Sequence, residues 1–126
     1  MVFHKAQAME TVIPQETDQD VLDIMYVALK MEGFRVYALA DCGPGFLELI
    51  DKAKPHLVAL DYLLSGEQCV KTCREIKSRY PHLPVLALSC NSNIHEVYTR
   101  FGFDDYIKKP FDLDLLYSIL RKHIHK

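Results

Sequence analysis

Four short runs of this 126-residue chain end in side chains that can handle charge. Thr11–Gln15 gives way to Glu16, Thr17 and Asp18. The apolar run Leu57-Val58-Ala59-Leu60 ends at Asp61, Val85-Leu86-Ala87-Leu88 ends at Ser89, and Tyr106-Ile107 leads into Lys108-Lys109. A carboxylate cluster, a hydroxyl and a lysine brought to one rim make a site for a divalent cation and a phosphoryl group. The hard cation takes carboxylate oxygens and water, while ammonium and hydroxyl groups bind phosphoryl oxygens.

The other chemically able residues read as structural. Cys42, Cys69, Cys73 and Cys90 lack the paired spacing of a zinc site, and the absence of an export signal argues for reduced thiols. Cys69, Cys73, Ile76 and Tyr80 fall at steps of four, three and four, which draws one apolar stripe along a helix. His123 and His125, beside Lys122 and Lys126, read as a solvated helix end. No catalytic triad, nucleotide loop or metalloprotease motif is present, so the chain is not expected to be an enzyme in its own right.

The elements that must carry these residues follow from periodicity. The first helix has Val21, Ile24, Met25, Ala28 and Leu29 as its inward stripe and stops at Gly33. Phe34–Leu39 reads as a strand. Pro44 sits near the start of a second helix whose buried stripe is Phe46, Leu49, Ile50 and Ala53, closed by Pro55. Gly66 opens a third helix running to about Tyr80. The fourth carries Ile94, Val97, Tyr98 and Phe101 and stops at Gly102, and the fifth carries Leu113, Leu116, Tyr117, Leu120 and Ile124. Strands apolar on both faces need cover on both faces, and alternation with helices supplies it through right-handed crossovers. The fold class is therefore α/β, a doubly wound parallel sheet of five strands with five helices. Its ligand site belongs at the carboxyl ends of the strands. Residues 1–9 form an N-terminal arm, and residues 10–126 form the domain.

Composition narrows the partners. Hydrophobic residues make up 49% and charged residues 25% of the chain, enough apolar surface for a packed core. Fifteen Lys and Arg against seventeen Asp and Glu leave a net charge of −2, without the basic excess that direct nucleic-acid binding requires. No apolar run approaches a membrane span, and Met1-Val2-Phe3-His4-Lys5 lacks the order of a secretion signal, which together predict a cytoplasmic location.

Three motifs carry a family likeness: Pro55-His56-Leu57-Val58-Ala59-Leu60-Asp61, Pro84-Val85-Leu86-Ala87-Leu88-Ser89, and Gly102-Phe103-Asp104-Asp105-Tyr106-Ile107-Lys108-Lys109-Pro110-Phe111. With them the chain resembles the receiver domain of bacterial two-component response regulators over about residues 10 to 125. The resemblance implies a flavodoxin-like sheet of strand order 2-1-3-4-5. It further implies that Asp61 accepts a phosphoryl group from a histidine kinase or phosphotransfer protein. Mg²⁺ would be held by Asp61, Glu16, Asp18 and the backbone carbonyl of Leu63, and Ser89 and Lys109 would bind phosphoryl oxygens. Tyr106 is the implied switch, and the Lys109-Pro110 bond is implied to be cis. A downstream protein effector would dock on the face of the fourth helix, fifth strand and fifth helix. The chain would act as a monomer or weak dimer that catalyses only its own phosphorylation and dephosphorylation. It is either a stand-alone receiver or part of a longer regulator.

Departures from the family pattern set the alternative. Thr17 stands where the second of the paired acids is usual, with Asp18 following. Pro14 and Gln15 fall where buried aliphatics are usual, and a proline cannot donate to the ladder of an interior strand, which predicts a short or bulged first strand. Ser65 and Cys69 replace a usual proline and glycine, so the loop after Asp61 is expected to take its own path. The pair Asp104-Asp105 belongs either to an interaction face or to a solvated turn. In related transcription factors such a pair meets an arginine of a dimer partner, at a position close to Ile119 here. The alternative function is a degenerate pseudo-receiver that binds partners without phosphorylation.

Overall fold

The computed structural model describes residues 9–63 and 66–124. Its elements are β1 (Thr11–Gln15), α1 (Gln19–Met31), β2 (Arg35–Val36), α2 (Phe46–Ala53), β3 (Leu57–Tyr62), α3 (Glu67–Arg79), β4 (Val85–Ser89), α4 (Ile94–Val97), β5 (Asp105–Lys108) and α5 (Leu113–His123). All strand pairs are parallel and the order is β2-β1-β3-β4-β5, as expected. Residues 1–8 of the arm expected at 1–9, Leu64 and Ser65, and His125 and Lys126 lie outside the described residues.

Alternation along the strands sorts the core into two layers. Ile13, Val58, Leu60, Val85 and Ala87 pack under α2, α3 and α4, with Cys69, Cys73 and Ile76 as the inward stripe of α3. Val12, Leu57, Ala59, Leu86, Leu88 and Ile107 pack under α1 and α5 against Met25, Leu29, Leu116 and Leu120. Each central strand is therefore apolar on both faces, which is what a doubly covered parallel sheet demands. The four cysteines are free thiols. Burial raises Cys42 to about 11 and Cys73 to about 12, and it raises Cys69 as well, so these sulfurs stay protonated and behave as small apolar groups.

Several expectations need correction. In α1 the inward stripe is Leu22, Met25, Ala28 and Leu29, and Ile24 points outward at 57% exposure. Apolar residues surround nearly the whole helix, so two stripes satisfy the same period. In α5 Leu113 is exposed in the first turn, and burial begins at Leu116. The α4 helix is one turn, because Asn93 makes no side-chain cap and Val97 and Thr99 are weak helix formers; looser turns continue to Gly102. His123 is not a solvated end: its Nε2 lies 2.8 Å from Asp105 Oδ2, with the ring mostly buried.

Pro14 produces neither a bulge nor a short β1. The strand keeps five residues in register with β3. Tyr37 and Leu39 donate to the carbonyls of Val12 and Pro14, so the missing Pro14 N–H faces β2. Regular pairing is consequently reduced to Arg35–Val36, and the bonds from Tyr37 and Leu39 lead on to the isolated Gln15–Leu39 bridge.

Gly66 precedes α3 with φ of +78°, and a Cβ there would run into the Tyr62 ring. That ring stacks on Phe101 and meets Phe103 edge-on, with centroid separations of 6.1 and 6.2 Å. Gly66→Ala therefore meets both left-handed backbone strain and an aromatic clash. A loss of about 2 kcal/mol in urea unfolding is expected. A loss below about 0.5 kcal/mol would mean that the turn relaxes freely.

Candidate functional site

The site sits at the carboxyl ends of β1, β3 and β5. Side-chain parity places Asp61 with Leu57 and Ala59, and Glu16 with Val12, on the layer that packs under α1 and α5. Lys109 follows β5 in phase with Ile107, and the Lys109–Pro110 peptide is cis. Its ammonium reaches both acids: Nζ donates to Glu16 Oε1 at 2.8 Å and to Asp61 Oδ1 at 2.9 Å. Both carboxylate side chains are 1% exposed and the lysine is 12% exposed, so the triad is nearly dry.

The remaining acceptor oxygens are also engaged. Thr17 N–H donates to Asp61 Oδ2 at 3.0 Å, and Asp18 N–H donates to Glu16 Oε2 at 2.9 Å. Burial acts to raise the Asp61 carboxyl, but hydrogen bonds from Lys109 and Thr17 outweigh it and hold the group below its ordinary value. For Glu16 burial wins, helped by repulsion from Asp61, and the group lies above its ordinary value. For Lys109 burial opposes the charged form, yet the bonds to Asp61 and Glu16 raise it. Asp61 is thus the ionised partner of a charged lysine, and Glu16 is the acid nearer to neutralisation.

The structure brings Asp61, Glu16 and Lys109 into one cluster and leaves other sequence candidates at its margin. Asp18 caps α1, its Oδ1 accepting from Asp20 and Val21 N–H, so its carboxylate is committed to the helix start. Ser89 pairs in register with Tyr62 on the neighbouring strand and is fully buried. Its Oγ accepts from Asn91 N–H at 2.9 Å, and its carbonyl accepts from Lys109 N–H at 2.7 Å. The Leu63 carbonyl accepts from Gly66 N–H at 2.7 Å. Tyr106 is half-buried with its ring 5.0 Å from that of Tyr98. Asp104 is held by Val85 N–H and Lys77, and Asp105 by Tyr106 N–H, Lys122 and His123, so the acidic pair binds within its own chain instead of forming a solvated turn.

Beside Asp61 lies a cavity of about 210 Å³ lined by Gln15, Thr17, Asp41, Asp61, Leu63 and Gln68, among others. Among the described residues no three acidic, imidazole or thiol side chains already converge as a metal cluster. Its lining includes the oxygen-bearing side chains of Gln15, Thr17, Asp41, Asp61 and Gln68, together with Cys42 and Cys69, whose thiols burial keeps protonated. At about 30 Å³ per water the space admits a cation that keeps several waters, which is how Mg²⁺ is commonly held. The residues therefore fit a hydrated Mg²⁺, with the Asp61 carboxylate on the cavity wall and Glu16 joined to it through Lys109. Gln15 and Asp41 escaped the sequence reading: one looked like a misplaced polar residue in a strand, and the other lies in a loop remote from every motif.

The sequence matches the response regulator receiver domain family over residues 12–121. Among solved structures, the chain is similar to the chemotaxis response regulator CheY4 of Vibrio cholerae, at 19% identity and a TM-score of 0.80, covering 93% of this chain and 100% of that one. The receiver domain of NtrX from Brucella abortus shares 28% identity at a TM-score of 0.75, covering 90% and 97% of the two chains. The receiver domain of the sensor histidine kinase PA1611 from Pseudomonas aeruginosa, with a magnesium ion coordinated in its active-site cleft, shares 23% identity at 0.74, covering 92% and 98%.

Proposed function

From the premise that this chain belongs to the response regulator receiver domain family, we propose that Asp61 is a phosphoacceptor. The observation that carries this reading is the dry Asp61–Lys109–Glu16 triad at the sheet's carboxyl edge, where a carboxylate is kept ionised beside a fixed ammonium. A nucleophilic carboxylate needs that charge, and the developing charge on a transferring phosphoryl group needs that cation.

The donor is a histidine kinase or phosphotransfer protein. One Asp61 oxygen forms a bond to phosphorus while the bond from phosphorus to the donor imidazole breaks, and the electron pair leaves with the imidazole. Lys109 then passes from the carboxylate to a phosphoryl oxygen, and the Ser89 hydroxyl turns from Asn91 N–H to another. Asp61, Glu16 and the Leu63 carbonyl would hold Mg²⁺, which when bound neutralises charge on the phosphoryl oxygens. The magnesium-bound receiver of PA1611 supports that assignment by likeness of fold. The chain catalyses only its own phosphorylation and dephosphorylation.

The signal leaves through α4, β5 and α5 to a protein effector. Tyr106 bridges that face, with its ring on Tyr98 and its N–H on Asp105, which in turn grips α5 through Lys122 and His123. Asp104 and Asp105 are already paired internally, which supports a monomer or weak dimer. The chain carries no basic excess for nucleic acid, and no described helix is long and apolar enough to cross a membrane. A cytoplasmic site of action fits these features.

The pseudo-receiver reading draws on one observation, Thr17 in place of an acid. A single assay separates the two. Incubated with acetyl phosphate and Mg²⁺, the protein is expected to gain one phosphoryl mass, and Asp61→Asn to gain none. Absence of label on the parent, or equal label on both, overturns the phosphoacceptor assignment.

A further inference from the structure

Gln15 is a buried amide at the end of an interior strand, 6% exposed, where the family pattern has an aliphatic side chain. Its two ends are both engaged. Oε1 accepts from Asp61 N–H at 3.0 Å, and Nε2 donates to the Ala40 carbonyl at 3.0 Å. A primary amide carries its acceptor and its donors on two separate atoms, so it can join two main-chain segments that no aliphatic side chain could join. The segments joined are the phosphoacceptor itself and the loop after β2, and both are walls of the 210 Å³ cavity beside the carboxylate.

The strut also lies where the ladder lacks one donor. Pro14 offers no N–H to β2, and main-chain bonds tie Tyr37 and Leu39 to Val12, Pro14 and Glu16. Gln15 adds a side-chain tie there and runs it to Asp61. We propose that Gln15 is a positioning residue, which fixes the main chain at Asp61 and couples it to the loop at residues 40–42. The functional meaning of this coupling rests on the phosphoacceptor reading: a phosphoryl group on Asp61 is then felt at the β2–α2 loop as well as at α4, β5 and α5.

Two variants and amide hydrogen exchange test the proposal. Gln15→Leu removes both bonds at similar volume. The Asp61 amide should exchange about tenfold faster relative to the Leu60 amide, the equivalent of one hydrogen bond. Amides 40–42 should shift in the parent on adding beryllofluoride and Mg²⁺ and should fall silent in this variant, while those at Thr17 and Ser89 still respond in both.

Gln15→Met, of similar length but without donor or acceptor, should behave as Gln15→Leu does. An unchanged exchange ratio in Gln15→Leu, or a silent loop in the parent, overturns the proposal. If Gln15→Leu does not fold, the exchange ratio and loop response of Gln15→Met decide. Phosphoryl labelling of the parent is scored separately: its absence removes the phosphoacceptor reading, while the exchange ratio still decides whether Gln15 anchors Asp61.

Discussion

Lys109→Ala is expected to destabilise the protein by about 3 kcal/mol at pH 7 and to slow labelling by acetyl phosphate about a hundredfold. The ammonium is the only cation bonded to either Glu16 or Asp61 among the described residues, and both carboxylates are almost wholly buried. Its removal leaves two acids facing each other in a dry site, and one must take up a proton or the fold must open. The same ammonium is placed to stabilise the transferring phosphoryl group, so stability and reactivity fall together.

The pH dependence distinguishes this loss from a mere packing defect. Asp61 titrates below its ordinary value when folded, so its pairing stabilises the fold at neutral pH, and that contribution is lost as pH falls through the folded value. Glu16 titrates above its ordinary value, so its ionisation opposes folding, and the opposition is relieved as pH falls below its raised value. Lys109 is raised, so its contribution persists throughout the neutral range and fades only under alkaline conditions. In Lys109→Ala both acids are raised. The deficit against the parent should therefore be full at pH 7 and narrow below about pH 5, as the carboxylates protonate. Urea unfolding at several pH values measures this. A deficit independent of pH would mean that the lysine stem, and not the bridge, supplies the stability.

What the sequence disclosed and what it hid have separate physical causes. Strands β3 and β4 were legible because a strand covered on both faces must be apolar throughout, and their end residues Asp61 and Ser89 followed at once. Lys109 was legible through its neighbours Pro110 and Phe111. The core face of α1 was not, since Ile24, Val27 and Met31 form a second apolar stripe that only tertiary packing can reject. The extent of β2 was hidden because the break comes from a proline in another strand. Asp18 illustrates the limit within the site. A carboxylate three residues after a strand can serve a cation or cap the next helix, and its sequence neighbours are the same in either case; the cap shows only in the bonds to Asp20 and Val21 N–H. Gln15 is the converse case, a polar residue that breaks the apolar pattern because its partners lie 25 and 46 residues away in the chain.

Thr17→Asp should bind Mg²⁺ about tenfold more tightly than the parent, worth about 1.4 kcal/mol. Thr17 lines the cavity with Asp61 and Leu63, and its N–H already holds Asp61 Oδ2, so a carboxylate on this residue enters the same space with a hard oxygen and one more negative charge. Without the cation the added charge faces Asp61 and Glu16, and only Lys109 offsets it. The variant should accordingly be less stable than the parent in chelator and should recover as Mg²⁺ is added, by the logarithm of cation concentration over its dissociation constant. Asp18 already gives its Oδ1 to the α1 cap, which sets it apart from a carboxylate at position 17. Paired urea titrations with and without Mg²⁺, read by the tyrosine fluorescence of the chain, follow both effects at once. A parent that binds Mg²⁺ as tightly as Thr17→Asp would show that Asp18 leaves its cap to serve the cation, or that the main chain at Leu63 with Asp61 already suffices. In either case the loss of the second acid at position 17 would carry no consequence for the site.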